Sequence, residues 1–94
     1  MFAIAFDMEV AKLKEHYGEP YNNAYFEIGT ILREFDFYNT QGSLYLTEND
    51  DMGNLYQAID ALRSTKWFKN SVRDIRTFKV ENWSDFTAII KGKK

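Results

Sequence analysis

The sequence predicts an α+β fold, a ferredoxin-like βαββαβ arrangement with a four-stranded antiparallel sheet. Short apolar or aromatic runs alternate with longer runs whose apolar residues recur at helical spacing, in the order that this fold requires. The chain of 94 residues is 45% hydrophobic and 17% aromatic, which is enough for one packed core. We therefore expect residues 1–94 to form a single ferredoxin-like domain, with an extra helix after strand one and a short C-terminal helix.

The first half of the chain contains five predicted elements. Continuous apolar residues, helical spacing and aromatic runs distinguish them. In chain order they are a buried strand over 2–6 that Asp7 closes, a helix over 8–17 with Val10, Leu13 and Tyr17 inward, a helix over 20–34 beginning at Pro20, and a β-hairpin over 37–39 and 43–47 with a turn at Gln41-Gly42.

The second half contains a long helix, a strand and a short helix. A capping residue within 48–51 precedes the helix that runs from Met52 to Leu62, and residues 64–71 form a connection with room for a helical turn. Residues 72–82 form a strand whose alternation is imperfect, because Ile75 and Phe78 cannot share a face of a regular strand, and a β-bulge would account for this. We expect Ser84 to cap the last helix, with Phe86, Ile89 and Ile90 inward, and residues 91–94 to form a solvated tail.

Two helices of this fold cover one face of the sheet and leave the other face to be covered by something else. The high aromatic content indicates that a second subunit covers it, as in a symmetric homodimer. A domain of this size buries a modest core, so a partner chain would add to its stability.

Composition excludes several classes of protein. The chain has no cysteine, so a disulfide framework, a thiolate zinc site and a cysteine nucleophile are excluded. No apolar run approaches the ~20 residues that span a bilayer, and no basic segment precedes the short apolar N-terminus as in a signal peptide. We expect a cytoplasmic protein that does not associate with a membrane.

Charge is distributed unevenly along the chain. Residues 1–62 hold 3 basic and 11 acidic side chains, a net charge of −8, whereas residues 63–94 hold 9 basic and 3 acidic side chains, a net charge of +6. Such asymmetry is typical of a face that binds a polyanion such as RNA. Two oppositely charged faces are also ordinary in proteins and can help subunits to pair.

The residue inventory excludes several mechanisms. His16 is the single histidine, so one chain cannot form the histidine pair used for acid–base cleavage of RNA. Glycine-rich nucleotide-binding motifs are absent from the sequence. Residues 43–47 (SLYLT) do not match the consensus of the single-stranded RNA readers that share this fold.

Carboxylates and basic residues remain as candidates for chemistry. Because the first and last strands of this fold lie near the middle of the sheet, Asp7 is expected to approach its symmetry mate or a residue of the last strand. Paired carboxylates would form a hard-oxygen site for Mg²⁺ or Mn²⁺, and Arg73, Arg76 and Lys79 could hold RNA phosphates. Alternatively, Asp7 caps the following helix, and Asp74 simply forms an ion pair with a neighbouring arginine.

Several segments, taken in order, resemble the virulence-associated protein D (VapD) family. They are FAIAFD, YGEPYNNAY, TQGSLY and SVRDIR, followed by FKVE and WSDFT. The resemblance runs from Phe2 to about Ile90, and segments in this order in a chain of this length are specific.

The resemblance implies a ferredoxin-like homodimer, related to the small CRISPR-associated nucleases, with endoribonuclease activity on cellular RNA. It also implies a toxin that a small protein antitoxin opposes. Asp7, Ser43 and Asp74 match the proposed catalytic site of the family, Asp7 matches the position of a divalent metal in the related nucleases, and Gln41 and Arg73 are nearby candidates for RNA binding.

Two other functions stay open. A non-catalytic dimer that binds RNA or protein would keep the basic residues and need no catalytic carboxylate. A ferredoxin-like sensor of small molecules would need a pocket between subunits, to which no residue pattern points.

Overall fold

The computed structural model describes residues 1–92. Five helices and four strands follow one another in these residues. In chain order they are β1 (Phe2–Met8), α1 (Val10–His16), α2 (Asn23–Arg33), β2 (Tyr38–Gln41), β3 (Leu44–Thr47), α3 (Met52–Arg63), α4 (Lys66–Lys69), β4 (Val72–Lys79) and α5 (Thr87–Ile90). None of these helices is long and apolar enough to cross a membrane.

The four strands form one sheet in the order β2-β3-β1-β4, and every neighbouring pair is antiparallel. This strand order confirms the predicted ferredoxin-like fold. The sequence led us to expect the last strand near the middle of the sheet, and this expectation is wrong. The last strand, β4, is an edge strand, although it does pair with the central strand β1.

The two faces of the sheet differ in character. Alternate residues of β1 point to the helices, and Phe2, Ile4, Phe6 and Met8 are buried in a core with side chains of all four of the helices α1–α4. The opposite face, here called the open face, carries Ala3, Ala5 and Asp7 of β1 together with their partners on β3 and β4. It changes from apolar residues at one end to charged residues at the other.

Strand β1 is longer than predicted. Pairing with β4 continues through Met8, which lies opposite Val72, so Asp7 is inside the strand and does not close it. Glu9 is the residue that precedes α1, and its side chain makes no capping hydrogen bond. The interpretation of Asp7 as a helix cap is therefore wrong, because the neighbouring strand extends β1 beyond it.

Helix α2 and the hairpin turn each begin later than predicted. Residues 20–22 form a tight turn with hydrogen bonds between residues three apart, so α2 begins at Asn23 and not at Pro20. The hairpin turn consists of Gly42 and Ser43, since Gln41 still belongs to β2. The side-chain nitrogen of Asn39 donates hydrogen bonds to two backbone carbonyls around this turn.

The other helices largely follow the sequence. Asp51 caps α3, as an acceptor for the Gly53 N–H at 2.9 Å, and α4 is the helical turn expected between residues 64 and 71. Leu13 of α1 is buried as predicted, but Val10 at the start of that helix is 43% exposed. The first turn of α1 therefore contributes less to the core than its apolar spacing indicated.

The C-terminal segment differs most from the prediction. Asp85, not Ser84, accepts a hydrogen bond from the Thr87 N–H at 2.8 Å at the start of α5. The predicted inward residues are exposed, Phe86 by 61%, Ile89 by 70% and Ile90 by 82%. This helix of four residues therefore contributes no buried residue to the core. Of the predicted solvated tail, Lys91 and Gly92 are exposed, and the last two residues lie outside the described part of the chain.

Candidate active site

Asp7 and Asp74 form the centre of the charged end of the open face. They are direct partners in the register of β1 and β4, so both side chains emerge on the same face. Like charges directly opposite each other on neighbouring strands destabilise a sheet. Because this pairing does not favour folding, we take the two aspartates as candidates for a functional role.

Each of the two carboxylates is met by an arginine from β4. Arg73 Nη1 donates a hydrogen bond to Asp7 Oδ2 at 3.2 Å. Arg76 Nε donates to both carboxylate oxygens of Asp74, at 3.1 and 3.3 Å. All four side chains are at least half exposed, so solvent screens both pairs and a substrate can reach them.

A β-bulge in β4 makes the first of these pairs possible. Met8 lies opposite Val72 and Asp7 lies opposite Asp74, so Arg73 has no partner on β1. Bulges redirect side chains and are common beside active sites. The sequence placed the irregularity at Ile75 and Phe78, but these two residues pair regularly with Phe6 and Ala3 and lie on opposite faces. The bulge lies nearer the start of the strand, between Val72 and Asp74.

The β2–β3 hairpin brings two further predicted site residues to the same end of the sheet. The Phe6 N–H donates to the Ser43 carbonyl at 3.2 Å, so Ser43, in the hairpin turn that precedes β3, lies next to the residue before Asp7. Gln41 lies opposite Leu44 at the end of β2. Both residues depend on the hairpin turn for their position relative to Asp7.

Lys79 lies at the other end of β4. It is the partner of Phe2 and is five residues from Asp74, which corresponds to about 17 Å along a strand. Its neighbour there is Asp50, whose pKa is lowered mainly by a hydrogen bond from the N-terminal amino group and to a smaller extent by the charge of Lys79. Lys79 is therefore not part of the group around Asp7.

Tyr25 is a neighbour of the site that the sequence did not reveal. Burial raises the pKa of Tyr25, and the charges of Tyr21 and Asp7 raise it further. The rings of Tyr17, Tyr21 and Tyr25, which follow one another at a spacing of four residues, all pack against the core.

The carboxylates at this end of the sheet are the side chains that could bind a metal ion. Among residues 1–92 no group of three or more histidine, cysteine, aspartate or glutamate side chains is placed so that it could hold a metal ion. Asp7 and Asp74 are two carboxylates on facing positions, and Mg²⁺ is commonly held by one or two carboxylates with water and phosphate oxygens completing its shell. The two aspartates fit such an ion, which would compete with Arg73 and Arg76 for them.

Known proteins resemble the chain along nearly its whole length, although no protein-family profile matches it. The protein named Endoribonuclease VapD from Dichelobacter nodosus is 61% identical over 92 residues, which are 98% of this chain and 99% of that protein. Endoribonuclease VapD 1 from Riemerella anatipestifer is 57% identical, over 92% of this chain and 97% of that protein. The Endoribonuclease VapD homolog from Neisseria gonorrhoeae is 48% identical, over 98% of this chain and 100% of that protein.

Identity of this level over both full lengths agrees with the segments that first indicated the family, among them the one that contains Asp7. The fold and the order of the elements are consistent with it. The chain belongs to the VapD family.

Proposed function

We propose that the protein is an endoribonuclease that cleaves RNA phosphodiester bonds at the charged end of the open face. The observation that carries the proposal is the exposed pair of facing carboxylates, Asp7 and Asp74, in a chain whose relatives are named endoribonucleases. RNA is a polyanion, and Arg73 and Arg76 place two positive charges beside these carboxylates.

Asp7 is the key residue of this proposal. Its carboxylate orients a water molecule and accepts a proton from it while the water oxygen bonds to phosphorus and the bond from phosphorus to the leaving ribose oxygen breaks. The leaving oxygen takes up a proton from the Ser43 hydroxyl, which regains one from solvent, and Asp74 assists by hydrogen bonding. Gln41 and Arg76 contact the RNA backbone beside the site, whereas Lys79 is paired with Phe2 at the far end of β4 and has no role in this proposal.

A divalent ion is part of the proposal only as a possible addition. Mg²⁺ or Mn²⁺ would be held by Asp7 and Asp74, and it would supply Lewis-acid polarisation of the phosphate. The residues of the chain keep the roles given above in either case.

The test compares cleavage of purified RNA by the wild type with cleavage by Asp7→Ala and Asp7→Asn, each with added Mg²⁺ or with a chelator. Asp60→Asn is the matched control, because Asp60 is also an exposed aspartate paired with an arginine, on α3. We expect loss of cleavage in both Asp7 variants and wild-type cleavage in the control. Equal cleavage by wild type and Asp7→Asn would exclude the proposed role of Asp7. Full cleavage in the presence of chelator would exclude a role for the divalent ion and leave the rest of the proposal standing.

The alternative, a non-catalytic binding module, makes a different prediction in the same samples. RNA would bind in a salt-sensitive manner without being cleaved, and substitution of Arg73 or Arg76 would weaken binding while Asp7→Asn would not.

We also propose that the protein is a homodimer that pairs through the open face. One row of this face runs across all four strands, from Tyr38 through Leu46 and Ala3 to Phe78, and both end residues are aromatic and about half exposed. Leu46 and Ala3 between them are buried, so the exposed apolar surface is that of the two aromatic rings, and exposed apolar surface marks protein interfaces. Light scattering should give twice the chain mass for wild type and the mass of one chain for Phe78→Asp. Phe26→Asp, which changes an exposed aromatic residue of α2, is the matched control.

The biological role that we propose is a toxin that acts on RNA in the cytoplasm and is neutralised by a small protein antitoxin. Its support is the family resemblance. Induced expression of wild type should stop bacterial growth, whereas equal amounts of Asp7→Asn should not, and normal growth with both would contradict a toxin role.

A further inference from the structure

The position of Arg73 in its strand is unusual. Regular pairing of β1 with β4 would place Arg73 opposite Met8, on the face that the helices cover. The bulge instead leaves Arg73 unpaired, and its guanidinium reaches the carboxylate of Asp7 on the neighbouring strand. The irregularity of β4 thus brings together two residues that are 66 positions apart in sequence.

Stability does not explain the contact between Arg73 and Asp7. Their side chains are 60% and 61% exposed, and ion pairs with such exposure contribute little to folding because water and salt screen them. The pair of Arg76 and Asp74 is local, because the two residues are two positions apart on the same strand. Arg73 is therefore the arginine that links β4 to the proposed catalytic carboxylate.

We propose that Arg73 is a positioning residue, which acts on RNA cleavage through Asp7 and not by holding a phosphate. It fixes the orientation of the Asp7 carboxylate and supplies the positive charge beside it. This inference rests on the proposed endoribonuclease function, and it changes the role that the sequence indicated for Arg73. Misplacement of a catalytic group by about 1 Å can cost 100-fold in rate, so removal of this hydrogen bond should be visible in the rate of the chemical step.

Single-turnover cleavage at varied RNA concentration separates the two roles. For Arg73→Gln we expect the maximal rate to fall about 10- to 100-fold, while the half-saturating RNA concentration stays within about 2-fold of wild type. For Arg73→Lys we expect a rate within about 3-fold of wild type, because the contact is a single one, from Nη1 to Oδ2, that an ammonium group can replace. Arg63→Gln on α3, which breaks an exposed pair with Asp60 on the covered side of the sheet, is the matched control.

Salt dependence gives a second and independent measurement. For single-stranded RNA, a substitution that removes one phosphate-binding side chain lowers the slope of log affinity against log salt by about 0.7. Arg73→Gln should leave this slope unchanged, whereas Arg76→Gln should lower it. Circular dichroism of each variant establishes that the fold is intact.

A higher half-saturating concentration at an unchanged maximal rate, or a smaller salt slope, in Arg73→Gln would assign Arg73 to phosphate binding and overturn the proposal. Failure of Arg73→Lys to recover the rate would also overturn it. Either result leaves the endoribonuclease function intact. If the wild type does not cleave RNA, the proposed function fails first, and the role of Arg73 fails with it.

Discussion

Asp7 of β1 and Asp74 of β4 face each other directly across two neighbouring strands, and an arginine of β4 meets each carboxylate. Repulsion between the facing carboxylates and attraction to the arginines act in opposite directions on stability. Because all four side chains are exposed to solvent, both effects are small. Activity and stability should therefore respond independently to substitutions in this group.

Asp7→Asn and Asp74→Asn test this independence. We expect each variant to unfold in urea within about 0.5 kcal/mol of the wild type, as is usual for surface substitutions. RNA cleavage should fall at least about 100-fold in Asp7→Asn and to a smaller extent in Asp74→Asn. A variant that loses activity and also unfolds at a clearly lower urea concentration would indicate that the carboxylates stabilise the sheet.

Gly29 and Tyr45 should show coupled effects on stability. A Cβ at Gly29 would lie 3.3 Å from the buried Tyr45 hydroxyl, which is tighter than ordinary contact. Alanine is about 0.8–1.0 kcal/mol better than glycine inside a helix, so crowding at the hydroxyl should offset most of the gain from Gly29→Ala. In a Tyr45→Phe background the gain should appear in full. Equal effects of Gly29→Ala in both backgrounds, measured by urea unfolding, would mean that the hydroxyl does not restrict this position.

Ser71→Ala should stabilise the protein. Ser71 is fully buried, and its hydroxyl oxygen has no hydrogen-bond partner in residues 1–92. Its backbone bonds, from the Ser71 N–H to Phe68 and from the Glu9 N–H to the Ser71 carbonyl, are kept in alanine. A buried hydroxyl without a partner costs on the order of 1 kcal/mol, so thermal unfolding should move to higher temperature. The exposed Ser64→Ala serves as control, and a lower unfolding temperature for Ser71→Ala would reveal a partner for the hydroxyl.

Alkaline pH should destabilise the fold through Tyr45. Burial raises the pKa of Tyr45, and this effect outweighs the opposing ones of Asn39 and Arg33. The folded state therefore keeps the phenol protonated where the unfolded chain would lose its proton. This contribution to stability is complete below about pH 10 and is lost as the pH rises through the raised pKa. Tyr45→Phe should reduce the decline in the free energy of unfolding above pH 10, whereas replacement of the exposed Tyr56 by phenylalanine should not.

Local patterns in the sequence were sufficient for most of the fold. Ala24, Ile28 and Leu32 recur at helical spacing and form the buried face of α2. Asp51 precedes an apolar helical run and caps it, because an N-cap depends on residues two or three positions away. The C-terminal helix shows the limit of such patterns, since spacing indicates an apolar face but not whether another layer exists to cover it.

The candidate site depended on contacts that local patterns do not contain. The sequence indicated Asp7, Asp74 and Ser43, and the pairing of β1 with its two neighbours brings them to one end of the sheet. It could not indicate that Arg73 reaches Asp7, because that contact joins residues at opposite ends of the chain. Lys79 was grouped with the site because it is near Arg76 in sequence, although strand geometry carries it to the far end of the sheet.

The bulge at Arg73 also sets which face each residue of β4 occupies. If residue 73 were deleted, Val72 and Asp74 would become neighbours and would still lie opposite Met8 and Asp7, so every other side chain would keep its face. A deletion elsewhere in this strand would move the side chains on one side of the deletion to the opposite face of the sheet. Loss of one codon would thus leave a folded protein that lacks only the arginine beside Asp7. If Arg73 positions Asp7 as proposed, this form would cleave RNA more slowly, and an insertion at the same place would restore the rate.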